Sequence, residues 1–111
     1  MSEVATIRRQ LKIKSGVASR LYKEHQTYQK EEELQQIKLD KFIADDAEAW
    51  DIKNARLMLE ECKKMIKDTS NRLGTAVQDL REFLVAARQN PDLSEAEELL
   101  KAEEVLELVS A

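Results

Sequence analysis

The sequence predicts an all-α fold, an antiparallel three-helix bundle with two long helices and one shorter C-terminal helix. Three observations carry it. Small or apolar side chains recur at Ile52, Ala55, Leu59, Cys62, Ile66, Leu73, Ala76, Leu80, Phe83 and Ala87 in alternating steps of three and four, with Thr69 as the one polar member. That spacing is one face of a long helix, and a lone face of this length needs a packing partner to be stable in water. Two glycines, one proline, 5% aromatic and 36% charged residues suit long helices with solvated outer faces better than sheets and tight turns. Two breaks, Asp45-Asp46 and Asn90-Pro91-Asp92, divide the 111 residues into three stretches. One domain spanning 1–111 is expected, with helices at about 6–44, 52–88 and 95–109.

The first helix carries a stripe at Ile7, Leu11, Lys14, Ala18, Leu21, His25, Tyr28, Glu32, Gln35, Leu39 and Phe42, widened by Val17, Tyr22 and Ile43. Its middle, Lys30 to Gln36, is mostly polar. Gly16 lies within it, where glycine costs roughly 0.5–1 kcal/mol relative to alanine, so it marks either a close approach by a neighbouring helix or a tolerated loss. The connection from Ala44 to Asp51 is short, which makes the long helices antiparallel neighbours, and Asp51 or a nearby Asp is expected to cap the second helix. Trp50 is expected to cover the end of that hairpin, the alternative being an anchor for another protein. Gly74, inside the second helix, has no evident reason.

Asn-Pro ends the second helix, and Ser94 with Glu97 reads as a capping box that opens the third. The third helix presents Ala96, Leu99, Ala102, Leu106 and Val109 on one face. At about 1.5 Å per residue it is about half the length of the other two and covers only half of their hairpin. The uncovered half is a two-helix arm carrying Leu39, Phe42, Ile43, Trp50, Leu57, Met58 and Met65, apolar material suited to an interaction site.

The net charge of −4 is unevenly placed. Val4 to Lys23 holds Arg8, Arg9, Lys12, Lys14, Arg20 and Lys23 and no acid, whereas Asp92 to the end holds seven acids and one lysine. The two ends are expected to lie side by side and offset each other, each surface pair worth tenths of a kcal/mol, the alternative being that part of the basic face stays free for an acidic partner. Nucleic acid is not an expected partner. No apolar run long enough for a signal peptide or membrane span occurs, and a peripheral membrane helix is disfavoured by Lys14 on the stripe, so a soluble intracellular protein is expected. The lone Cys62, on the apolar stripe, reads as a buried side chain. His25 is the one histidine, no phosphate loop or zinc spacing is present, and neither catalytic residues nor a cofactor or metal is expected.

The run Leu11-Lys12-Ile13-Lys14-Ser15-Gly16-Val17, then Arg20-Leu21, Lys23-Glu24, Tyr28 and Lys30-Glu31, resembles the first helix of the tubulin-binding cofactor A (tubulin-specific chaperone A) family. Asp51-Ile52-Lys53, Leu59, Glu61, Met65-Ile66, Asp68, Arg72-Leu73, Ala76, Asp79 and Leu80 resemble its second helix. The likeness covers nearly the whole chain. One departure stands out: the family commonly has Met-Ile-Pro-Asp here, and this chain has Lys67 for the proline. Lys67 restores a backbone donor and implies a straighter helix.

The resemblance implies a three-helix bundle that captures β-tubulin released from the cytosolic chaperonin and holds it before αβ-heterodimer assembly, by protein binding without catalysis. It implies a cytoplasmic, cytoskeleton-associated setting, other tubulin-folding cofactors as further candidate partners, and either a monomer or a homodimer. The expected contacts are the charged residues of the matching blocks: Lys12, Lys14, Arg20, Lys23 and Glu24 on the first helix, and Lys53, Glu61, Asp68 and Arg72 on the second. Tyr28 and Met65 are apolar candidates that read equally well as core. A competing reading is a helical scaffold or spacer that dimerises through the two-helix arm.

Overall fold

The computed structural model describes residues 3–110. It consists of α1 (Glu3–Ala44), α2 (Ala49–Arg88), a short 3₁₀ turn (Pro91–Leu93) and α3 (Glu97–Ser110), with no strand among the described residues. Every residue of the two predicted long stripes is buried or half-buried, including the polar members Lys14, His25, Glu32, Gln35 and Thr69, whereas Ile43, expected to widen the first stripe, is exposed. α2 runs through Lys67 as one uninterrupted helix, as a residue with a backbone N–H permits.

The helix starts differ from expectation, each for a local reason. α1 begins at Glu3 rather than near Thr6, with the Glu3 carboxylate in its first turn, where the unpaired N–H groups favour negative charge. α2 begins three residues before Ile52: the Glu48 carbonyl accepts the Ile52 N–H at 3.1 Å, so Glu48 holds the capping position and Asp51 lies inside the first turn. The Ser94–Glu97 capping box is not formed. Ser94 has helical backbone (φ −55°, ψ −31°) and donates its N–H to the Pro91 carbonyl, closing the 3₁₀ turn. The Asn90 side chain sets up this turn by accepting from the Asp92 N–H at 3.0 Å, and Leu93 is thereby buried. The carbonyl of Ala96 then opens α3, accepting from Leu99 and Leu100 at 3.1 and 3.2 Å.

The link from α1 to α2 is a Schellman turn. The Ala47 N–H reaches back to the Phe42 carbonyl at 2.9 Å and the Asp46 N–H to Ile43 at 3.2 Å, with Asp46 left-handed at φ 55°. This position usually takes glycine, and a short polar side chain is the next cheapest occupant.

The chain forms two compact units. The first, residues 3–22 with 71–110, is a three-helix unit whose core comprises Leu11, Ala18, Leu80, Leu84, Ala87, Leu93, Leu99 and Ala102. Burying each of its leucines fully contributes roughly 1.5–3 kcal/mol. Arg8 on α1 pairs with Glu98 on α3 at 3.1 Å, so the basic and acidic ends do meet. Lys14 has a place on the apolar stripe because its ammonium lies 5.3 Å from the centre of the Phe83 ring while donating to Asp79 at 2.7 Å. No close approach explains Gly16: a Cβ there would meet nothing within 4 Å, and the same holds for Gly74.

The second unit, residues 23–70, is a hairpin of α1 and α2 alone. Leu39, Ala55 and Leu59 form its core with Phe42 and Ile52 packed alongside. Leu39 is therefore core rather than exposed arm, and Trp50 does not cover the hairpin end, since 71% of its surface is open.

Candidate partner-binding site

With two helices and no third layer, the second unit leaves large apolar side chains standing open. Leu34, Ile37, Ile43, Trp50, Leu57 and Met58 are all exposed. Part of this set builds an open groove of about 290 Å³, lined by Tyr28 and Glu31 from α1 and by Leu57, Met58, Glu61, Cys62 and Met65 from α2. Leu57, Met58, Glu61 and Met65 recur at steps of three and four along one flank of the helix adjoining the core stripe, to which Cys62 itself belongs. Methionine and leucine there make an adaptable apolar floor.

The charges around this floor are of one sign. Glu31 and Glu61 are exposed, and neither is paired with a cation among the described residues. At the base of the groove, burial and then the neighbouring Glu31, Glu32 and Glu61 push the Cys62 thiol above its ordinary range. That is the expected response of a thiol facing low polarity and negative charge.

Three of the residues predicted as contacts, Tyr28, Glu61 and Met65, come together in this groove. Lys12 lies elsewhere, in the first unit, on a second groove of about 430 Å³ lined on one side by Ser15, Gly16 and Ser19 and on the other by Glu97, Glu98, Lys101 and Val105 of α3. Lys14 is turned inward on Phe83 and Asp79. Arg20, Lys23 and Lys53 are exposed and Glu24 is half-buried, whereas Asp68 and Arg72 are exposed and already engaged within the chain. Glu31, Leu34 and Cys62 were not singled out as contacts from the sequence. The signal for the first two was available: Glu31 and Leu34 are three residues apart and so neighbours on one flank of α1.

No described helix is long and apolar enough to cross a membrane, and no group of His, Cys, Asp and Glu among the described residues is placed to hold a metal. Paired helices that present open grooves of this kind define a helical binding module, which takes hold of another macromolecule through its helix faces. The chain belongs to the tubulin binding cofactor A family, whose model matches residues 6–106. It is 44% identical to human tubulin-specific chaperone A over 101 residues, 91% of each chain. It is 34% identical to the tubulin-folding cofactor A of Arabidopsis thaliana over 98 residues, 84% of this chain and 86% of the other. The solved structure of the human cofactor superposes with a TM-score of 0.79 at 42% identity, covering 95% of this chain and 99% of that one. The Arabidopsis structure gives 0.86 at 29% identity, covering 96% and 97%.

Proposed function

We propose that this protein is a tubulin-folding chaperone that captures β-tubulin released from the cytosolic chaperonin and holds it until αβ-heterodimer assembly. It works in the cytoplasm, by binding alone and without catalysis. The observation that carries this reading is the open apolar surface of the second unit in a chain that matches the cofactor A family over residues 6–106. A folding intermediate displays apolar surface that its finished partner will later cover, and an exposed, adaptable helix face shields that surface without locking it.

The basic residues of α1 give the same reading a second contact. With Arg8 tied to Glu98 and Lys14 to Asp79, Arg9, Lys12, Arg20 and Lys23 remain exposed and without an ion pair among the described residues. They suit an acidic partner and speed its encounter.

Purified protein is mixed with β-tubulin and, separately, α-tubulin released from the chaperonin. Stable complexes with β-tubulin and few with α-tubulin support the proposal. Reversing Lys12, Arg20 and Lys23 together should slow β-tubulin capture and flatten its salt dependence. If neither tubulin is bound and sedimentation shows a self-associated chain, the scaffold reading takes its place.

A further inference from the structure

We infer that the groove on the second unit receives a helical segment whose apolar anchors are flanked by lysine or arginine. This deepens the tubulin-holding reading and rests on it only for which protein carries the segment.

The groove is narrow in chemistry. Tyr28, Leu57, Met58 and Met65 offer apolar surface, Glu31 and Glu61 border it from opposite helices, and no lysine or arginine lines it. Met58 and Met65 are seven residues apart on α2, two turns or about 10 Å, which matches anchors at the i, i+3/i+4 and i+7 positions of a docking helix. Both bordering carboxylates lack a cationic partner within the described chain. An occupant that is merely apolar strips water from these carboxylates and returns nothing. An acidic occupant adds like-charge repulsion, whereas one with a cation on each side of its anchors satisfies both groups as it seats. At the groove base, burial first and then the negative Glu31, Glu32 and Glu61 raise the Cys62 thiol above its ordinary range.

The preference is therefore opposite in sign to that of Arg9, Lys12 and Arg20 on α1 of the first unit. A partner recognised through both surfaces presents an acidic region and a basic amphipathic helix.

The test uses the full chain and three fluorescent helical peptides of about 18 residues with one shared Leu/Met face and Lys, Gln or Glu at the flanking positions, read by anisotropy at low salt. The Lys peptide should bind at least about tenfold more tightly than the Glu peptide, with Gln between. In a Glu31→Lys/Glu61→Lys variant of unchanged helix content the order should invert. Equal binding of all three, no binding of any, or an unaltered order in the variant overturns the inference. So does a wild-type dimer that the same variant dissociates, because the occupant is then a second copy. β-Tubulin separates the two proposals: peptides ranked by charge with no β-tubulin bound remove the tubulin reading and leave the groove. β-Tubulin held equally by wild type and variant, with the three peptides unranked, does the reverse.

Discussion

His25 on α1 and Thr69 on α2, the one histidine and the one polar member of the α2 stripe, meet across the helix pair at 2.9 Å, Nδ1 to Oγ1. The Thr69 hydroxyl also lies within hydrogen-bond distance of the Met65 and Ile66 carbonyls, to which its single proton is donated, so the imidazole Nδ1–H is the donor to Oγ1. Thr69 is only 1% exposed and His25 half-buried. Thr69→Val keeps the shape and removes the acceptor, and should cost about 1 kcal/mol, the low end for a stranded donor because water reaches the ring. Urea unfolding should show a lower midpoint at unchanged slope. A His25→Leu/Thr69→Val double variant should recover most of the loss; a double variant as unstable as the sum of the singles would show that the pair is not coupled.

Asp46 holds a left-handed conformation that glycine adopts freely. Asp46→Gly should raise stability by about 0.5 kcal/mol, the relief of the strain being partly offset by the greater freedom of glycine in the unfolded chain. Asp46→Val should lower it by about 1–2 kcal/mol, because a β-branched side chain meets the following carbonyl. Thermal melts of the two variants in opposite directions from the wild type are the check.

Gly16 and Gly74 both lie in helix interiors with open space where a Cβ would stand. Gly16→Ala and Gly74→Ala should each stabilise by about 0.5–1 kcal/mol, and the double variant by their sum, as the sites share no partner. A destabilised Gly16→Ala would mean that its helix face is in contact with something in solution.

The stripes that build the core were legible because burial follows a period that any helix must show, and of the stripe residues named from the sequence only Ile43, at the edge of the α1 stripe, is exposed. Two of the awkward members resolve locally, Lys14 onto Phe83 and Asp79 and His25 onto Thr69, whereas the Gln35 Oε1 is buried without a hydrogen-bond partner among the described residues. The third helix's short reach also followed from its length. The caps were less legible: Ser94-x-x-Glu97 satisfies the capping-box pattern, yet the Asn90 side chain and Pro91 wind the backbone into a 3₁₀ turn before the serine can act. The groove was legible only in fragments. Tyr28, Glu61 and Met65 were named singly, but their meeting depends on which flanks of α1 and α2 adjoin, and periodicity along one helix carries no information about the other's flank. Trp50 was expected to cover the hairpin end, and it stays open because no described residue folds back over the start of α2 to bury it.

Arg8 and Glu98 form an exposed pair whose hydrogen bond, with help from the local backbone, lowers the Glu98 carboxyl below its ordinary range, while the same contact raises Arg8. A lowered folded-state carboxyl contributes stability above its unfolded pKa of about 4.3 and loses it as pH falls through the folded value. Wild type should therefore melt above Glu98→Gln at neutral pH, and the gap should close on acidification below about pH 4. Salt near 1 M should narrow it too, since the pair is open to solvent. A gap that persists at both low pH and high salt would point to packing of the Arg8 stem instead.

Cys62 is 7% exposed and its thiol is raised above the ordinary range, first by burial and then by Glu31, Glu32 and Glu61. The thiolate is the reactive form, so alkylation of the folded protein at neutral pH should be slow, should accelerate only in more alkaline buffer than an ordinary thiol needs, and should reach the rate of a free cysteine in urea. Glu31→Gln/Glu61→Gln removes two of the three negative neighbours without opening the site, and should shift the alkaline rise to lower pH while leaving burial, the larger cause, in place. Because Cys62 lines the base of the groove, the same reaction reports on occupancy. The Lys-flanked peptide should slow labelling further, and the Glu-flanked peptide should leave it unchanged. Protection by both alike would locate peptide binding at the apolar floor without any contribution from the carboxylates.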